Sequence, residues 1–283
     1  MDPERPLSDD LQPCAGRPVA TGLVAALLLL AGCSLLSSPG GGVNLISIDQ
    51  EWQMGLDFSA EIAQQMEVVS DPRADEYLSR LGHDLLAASG SELARLEWTF
   101  SMVKDDSVNA FNIPGGHVYV NSGLVMALSD HAELASVIGH EIGHGLKRHG
   151  TRQLTKQLGL GAILGIALGD DPGRVQSMVA SASAQGALLK FSRDDELEAD
   201  RAGVHLLYGA GIDPQGTVDM LHVLASLQQN EPSRIERFLA SHPAPATRVG
   251  EAEERISTLP RRGDMVRQTD AFLSFQRYAR SLD

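Results

Sequence analysis

The residues best equipped to do chemistry are His140-Glu141-Ile142-Gly143-His144, an H-E-x-x-H spacing. Four positions along an α-helix make one turn plus about 40°, with a rise of about 6 Å, so both imidazoles leave one face and converge on a single cation at ~2.0 to 2.1 Å. Glu141 sits one position round from the first imidazole, too far over to ligate and placed to take a proton from water at the metal. A catalytic zinc uses three protein ligands and keeps a fourth position open, so a third ligand has to come from elsewhere. The pattern with glycine and histidine seven and ten residues after the first histidine fails, because Lys147 and Gly150 stand there. His149 is one position short of it and is expected at the helix C-terminus, where a partly charged imidazole is favourable. The better source is Phe191-Ser192-Arg193-Asp194-Asp195-Glu196-Leu197-Glu198-Ala199-Asp200. Glu196 and Asp200 lie four apart on one helix face, so Glu196 can ligate while Asp200 accepts the outer N–H of a ligand histidine. Glu198 is expected to point away from that face. The chemistry is metal-assisted hydrolysis with one Zn2+ per chain.

These groups need elements to carry them. Helical spacing is expected over residues 50–66 and 72–89, the second opening on Asp71-Pro72 as N-cap and first helical residue, with Leu78, Leu81, Leu85 and Leu86 on its apolar side. Leu96 to Met102 alternates apolar and polar, and Gly116-His117-Val118-Tyr119-Val120 is β-prone after a Pro114-Gly115 turn. Together they predict a small antiparallel sheet of about three strands. Helical spacing returns from Asp130, with one helix to about His149 and another to about Tyr208. Breaks are expected at Gly150, Gly169 to Gly173, Gly209 to Pro214 and His242 to Pro245. The fold class is α+β and predominantly helical.

The chain has 283 residues with 43% hydrophobic and 21% charged content, ample for a sizeable core. Its net charge of -14 and 5% aromatic content argue against a nucleic-acid partner, which requires Lys/Arg neutralisation and stacking platforms. Both cysteines, Cys14 and Cys33, lie near the N-terminus, which excludes a disulfide framework or a cysteine zinc site in the body. Val19 to Ala31 is apolar and uncharged, shorter than the ~20 residues of a bilayer-spanning helix, and reads as a secretory h-region. Asp2, Glu4, Asp9 and Asp10 outnumber Arg5 and Arg17 before it, which departs from the usual positive n-region. Leu30-Ala31-Gly32-Cys33 resembles a bacterial lipobox, and the Ser/Pro/Gly run after it reads as a tether. The expected organisation is a signal peptide over 1–32, a lipidated N-terminus and tether over 33–47, and one catalytic domain over 48–283. Gly161, Gly165 and Gly169 form a small-residue stripe, read first as packing and second as a lid or membrane-touching segment.

Four separated motifs carry a resemblance. His140-Glu141-x-x-His144 with His149, Ser192-Arg193-x-x-Glu196-x-x-Ala199-Asp200, Ser241-His242-Pro243, and Asn109-Ala110-Phe111-x-x-Pro114-Gly115-Gly116-x-Val118 resemble, in order and spacing, the HtpX, BepA and CAAX prenyl protease family of zinc peptidases. The resemblance spans roughly residues 48 to 256. It implies a zincin-like peptidase domain with His140, His144 and Glu196 as zinc ligands, Glu141 as general base and Asp200 supporting a ligand histidine. It also implies that His242 lies near the metal, either stabilising the oxyanion or filling the fourth position in a latent form, with Arg248 close by. Asn109, Ala110 and Phe111 would lie on a strand whose edge takes an extended substrate by β-addition. The implied activity is endopeptidase action on misfolded or misassembled envelope proteins. The rival is a largely latent zinc-bearing chaperone or assembly factor for outer-membrane proteins, and a small-molecule hydrolase fits the edge strand less well. The implied partners are protein or peptide substrates, the membrane through the lipid anchor at Cys33, and outer-membrane assembly machinery. Ser34 after Cys33 implies the periplasmic face of an outer membrane.

Overall fold

The computed structural model describes residues 44–156, 190–242 and 248–282. The expected signal peptide, Cys33, residues 33–43 of the tether, the stripe over 159–169, the break at Gly169 to Gly173 and Pro243 lie outside the described residues. Among the described residues no helix is long and apolar enough to cross a membrane.

Local signals account for most of the elements. Helix α1 (Ile48–Gln65) starts on a capping box, in which Ser47 and Gln50 exchange side-chain and backbone bonds. After β1 (Val68–Val69), helix α2 (Pro72–Ala87) opens as expected, with Asp71 accepting from the Arg73 N–H and Pro72 where no N–H is needed. Ala74, Leu78, Leu81 and Leu85 form its core face. A 3-10 turn (Glu92–Arg95) leads to β2 (Thr99–Val103), β3 (Ala110–Ile113) and β4 (His117–Asn121). Helices α3 (Ser122–Ala127), α4 (His131–Leu146), α5 (Arg193–Gly209), α6 (Gln215–Asn230), α7 (Pro232–Ser241), α8 (Val249–Ser257) and α9 (Asp270–Arg280) follow.

The fold is α+β and mostly helical, and its sheet differs in detail from the expectation. It has four strands in the order β1-β2-β4-β3, and the central pair is parallel, Thr99 facing His117 and Val103 facing Asn121. All five residues of β4 are buried, so it needs a neighbour on each side. The β3–β4 hairpin turns at Gly115 and Gly116, at φ 90° and 78°, where only glycine is unstrained. With β4 in the centre beside β2, β3 takes the edge, and the antiparallel pairing expected from short loops holds only for the outer pairs.

Helix α4 is buried along nearly its whole length, packed against α2, α5, α6, β3 and β4. Its most extensive packing is against α5. A Cβ on Gly143 would stand 2.8 Å from the Ala199 carbonyl oxygen, and one on Gly139 would stand 3.3 Å from the Gly203 Cα. Gly139 and Gly143 on one helix thus meet Ala199 and Gly203 on the other, each pair four residues apart and on one face. α4 ends earlier than the sequence suggests. The break falls at Lys147 and Arg148 rather than Gly150, and His149 opens a second helical stretch over 149–156 instead of closing α4. Arg148 adopts φ 55°, a conformation costing a non-glycine residue about 1 to 3 kcal/mol. Tertiary contacts offset that strain, since Arg148 donates to Glu51 at 2.5 Å and to the Ile46 carbonyl at 2.6 Å.

Replacing Gly143 with alanine should cost about 1 to 3 kcal/mol through overpacking, a fall in melting temperature of roughly 5 °C. Gly250→Ala, on an exposed position of α8 where a Cβ meets nothing within 4 Å, should leave the melting temperature unchanged or raise it. Calorimetry on the two variants checks whether the α4–α5 seam is as tight as it stands here.

Candidate metal centre

Three elements aim side chains at one point. α4 contributes His140, Glu141 and His144; α5 contributes Glu196 and Asp200; the residue capping α7 contributes His242. One donor atom from each of His140, His144, Glu196 and His242 lies within 4.8 Å of the other three, and all four residues are buried. His140 Nε2 is 3.0 Å from His144 Nε2, 3.3 Å from His242 Nδ1 and 3.6 Å from Glu196 Oε2. Glu196 Oε1 is 3.4 Å from His144 Nε2 and 2.9 Å from His242 Nδ1. Four ligands at ~2.0 to 2.1 Å in a tetrahedron stand about 3.4 Å from one another, so this spacing suits a zinc-sized cation. The donors also have the right chemistry. His140 Nδ1 lies 2.8 Å from Asp200 Oδ1, so it donates there and leaves Nε2 bare toward the centre. Glu196 Oε2 and Glu141 Oε1 are buried without hydrogen-bond partners, as expected of oxygens kept for something else.

The charges behind the donors are compensated. Arg248 clamps Asp200 with Nε at 2.6 Å and Nη2 at 2.5 Å. Its Nη1 stands 2.7 Å from Glu196 Oε2, a charge contact without hydrogen-bond alignment. Burial would raise Asp200, but the Arg248 guanidinium outweighs it and holds the carboxyl at about 2. Burial would raise Glu196 too, and His242, His144 and His140 around it hold it well below the carboxylate range. Glu141 goes the other way. Burial pushes its carboxyl up, and His242, His140 and the Asn112 N–H only partly oppose that. His144 is kept neutral by burial and by the neighbouring His140. Burial would lower His242, but the facing Glu196 and Glu141 carboxylates raise it.

The sequence-derived candidates can now be located. Glu196 and Asp200 share the α5 face turned to the histidine pair. His242 sits inside the donor set, its Nδ1 toward the other donors and its Nε2 3.6 Å from Glu141 Oε1. It is held by α7, which docks through Arg237 on Asp105 at 2.8 Å and the Val108 N–H on the Arg234 carbonyl at 2.7 Å. Arg248 is 2% exposed and lies behind Asp200 and Glu196. Ala110 and Phe111 lie on the edge strand β3, Phe111 stacked on Tyr119 at 5.0 Å, and buried Asn109 precedes them. β3 packs on α4, with its Asn112 N–H toward Glu141.

Three residues were missed or given another place. Phe191 stacks on the His144 ring at 4.0 Å. His149, expected to cap a helix, instead sets its Nδ1 2.7 Å from His144 Nδ1. Glu198 does point away from the donor set, but toward His149, at 3.1 Å from Nε2. The run of Asp and Glu in the α5 segment was the available signal for Glu198. His149 stands in the motif that carries the resemblance, but nothing local marked its contact with His144, because the break in α4 that reorients it is set by Glu51 and Ile46 far upstream.

The model of the family described as "Peptidase family M48" matches residues 72–256. The chain is similar to the beta-barrel assembly-enhancing protease of Yersinia pestis, 32% identical over 223 residues, covering 76% of this chain and 45% of the relative. It is also similar to the mitochondrial metalloendopeptidase OMA1 of Arabidopsis thaliana, 36% identical over 157 residues, covering 56% of this chain and 31% of the relative. A third relative is the metalloprotease LoiP of Escherichia coli, 28% identical over 239 residues, covering 81% of this chain and 92% of the relative. The matched part thus spans less than half the length of the first two relatives and nearly all of the third.

The raised Glu141 carboxyl makes metal-free stability pH-dependent. Below its ordinary value of 4.5 both the folded and unfolded states hold the proton. As pH rises past 4.5 the unfolded chain releases it first, so the folded state loses stability. Metal-free Glu141→Gln should therefore match the parent in urea unfolding below pH 4.5 and exceed it at neutral pH.

Proposed function

From the premise that the chain belongs to peptidase family M48 and is a metallopeptidase, we propose that it is a zinc endopeptidase whose metal is held by His140, His144 and Glu196, with Glu141 as the proton carrier. The convergence of these donors with His242 on one point, at the separations of a tetrahedral site, is the observation that carries this reading. Two imidazoles and a carboxylate are a donor set that suits zinc. Bound there, zinc supplies Lewis acidity that polarises a carbonyl oxygen and acidifies water.

The chain's own residues do the rest. Glu141, raised by burial, is suited to take a proton from water and return it to the leaving amine. Asp200 orients His140, and Arg248 holds Asp200 and Glu196 in register. The outer edge of β3 pairs with an extended peptide by β-addition, along Asn109, Ala110 and Phe111. The unpartnered buried oxygens Asn109 Oδ1 and Asn112 Oδ1 beside that edge support it. His242 Nδ1 lies within the donor set and would offer a fourth ligand, which supports the latent form of the site; in that form its ring would have to withdraw before a substrate carbonyl enters. The same observation favours a second reading, a zinc-bearing chaperone or assembly factor for outer-membrane proteins that rarely cleaves.

We further propose envelope proteins as substrates and a lipid anchor at Cys33 holding the body at the periplasmic face of the outer membrane. The lipobox resemblance supports the anchor, and the beta-barrel assembly-enhancing relative supports both the substrates and outer-membrane assembly machinery as a partner.

Cleavage of casein and zinc content of the purified protein test the assignment together. Glu141→Gln should keep its zinc and lose about 10²- to 10⁴-fold in kcat; turnover at the parent rate refutes the role. His242→Ala should cleave faster than the parent if the ring blocks the site, and a crippled variant assigns His242 to the oxyanion instead. Zinc binding with no cleavage by either the parent or His242→Ala leaves the chaperone reading standing.

A further inference from the structure

We infer that His149 is a positioning residue for the metal: backed by Glu198, it selects the tautomer in which His144 turns a bare Nε2 toward the donor set. This rests on the assignment of His144 as a ligand. A neutral imidazole that ligates through Nε2 carries its proton on Nδ1, and that N–H needs an acceptor. The atom facing it is His149 Nδ1, 2.7 Å away. His149 must then be bare at Nδ1 and protonated at Nε2. Its Nε2 faces Glu198 Oε2 at 3.1 Å, and a carboxylate only accepts.

Two cations keep Glu198 in that state, Lys147 Nζ at 3.2 Å and Arg152 Nη2 at 3.3 Å. Every N–H in the series therefore points one way, from His144 through His149 to Glu198. The opposite order would place a proton on His144 Nε2, aimed at Glu196, and would remove the lone pair a metal needs. Both rings are 1% exposed, so water is poorly placed to substitute for either partner. The arrangement parallels the other ligand, where Arg248 and Asp200 set the tautomer of His140. In most ligand histidines a carboxylate or carbonyl takes the outer N–H directly. Here a second imidazole is interposed, bringing a carboxylate from the far side of α5 into contact with the metal helix.

The test is zinc affinity of the metal-stripped full-length protein, measured by competition with a chromophoric chelator, alongside the melting temperature of the metal-free form. His149→Leu fills the space without an acceptor and should bind zinc 10- to 100-fold more weakly. His149→Asn places its Oδ1 at the same branch position as the lost Nδ1, accepts from His144, and should recover affinity to within a few-fold of the parent. Glu198→Ala, at a partly exposed side chain, should weaken zinc severalfold and provides a reading even if His149→Leu fails to fold. Parent-like affinity in His149→Leu, or equal losses in the leucine and asparagine variants, would overturn the inference and leave His149 as packing. A parent that binds no zinc would instead overturn the metal assignment beneath it.

Discussion

Two helices that pass almost backbone to backbone govern this molecule. Gly139 and Gly143 on α4 face Ala199 and Gly203 on α5 with too little room for larger side chains. Ordinary helix pairs are held 8 to 10 Å apart by the side chains between them. Removing those side chains along one seam brings the donor residues that flank it close enough to share a single cation. Gly139 and Gly143 immediately precede His140 and His144, and Ala199 and Gly203 alternate with Glu196 and Asp200 along α5. The seam and the ligands are thus interleaved, and any change in helix spacing is transmitted directly to donor spacing.

Burying so many titratable groups would ordinarily be ruinous, because an uncompensated charge in the interior costs several kcal/mol. The cluster limits that by giving most of its charged groups a fixed partner. Arg248 neutralises Asp200 and sits against Glu196, while Lys147 and Arg152 do the same for Glu198. The imidazoles, each able to donate at one ring nitrogen and accept at the other, then pass orientation inward. Two carboxylates near the centre still share a single guanidinium, and Glu196 Oε2 and Arg248 Nη1 lack hydrogen-bond partners. A divalent cation among the donors would complete that balance, which is why the donor set reads as a metal site and not as an ordinary buried network.

The remaining elements set a strand edge and a further histidine beside this centre. The fully buried β4 takes the middle of the sheet, which leaves β3 at its edge with the Asn112 N–H toward Glu141. α7 brings His242 in from the opposite end of the chain, anchored on the loop that leads into β3. Strand edge, Glu141 and His242 are therefore mechanically adjacent, although His242 lies more than a hundred positions beyond Glu141.

Much of this was legible in the residues themselves. The H-E-x-x-H spacing, the Glu196/Asp200 pair, the cap at Asp71 and the helix start near Asp130 are rules of one helix or one turn, and such rules act within a few residues whatever surrounds them. The α+β class and the close of α5 near Gly209 follow from the same short-range logic. The parallel pairing of β2 with β4 was not legible, because it answers to the burial of β4 on both sides. Neither was the early end of α4, where Arg148 accepts a strained backbone only because Glu51 and Ile46 hold its side chain. That end turns His149 onto His144, and the packing of α7 puts His242 into the donor set. Each is a meeting of segments distant in sequence, where the energy comes from a partner that no local pattern can name.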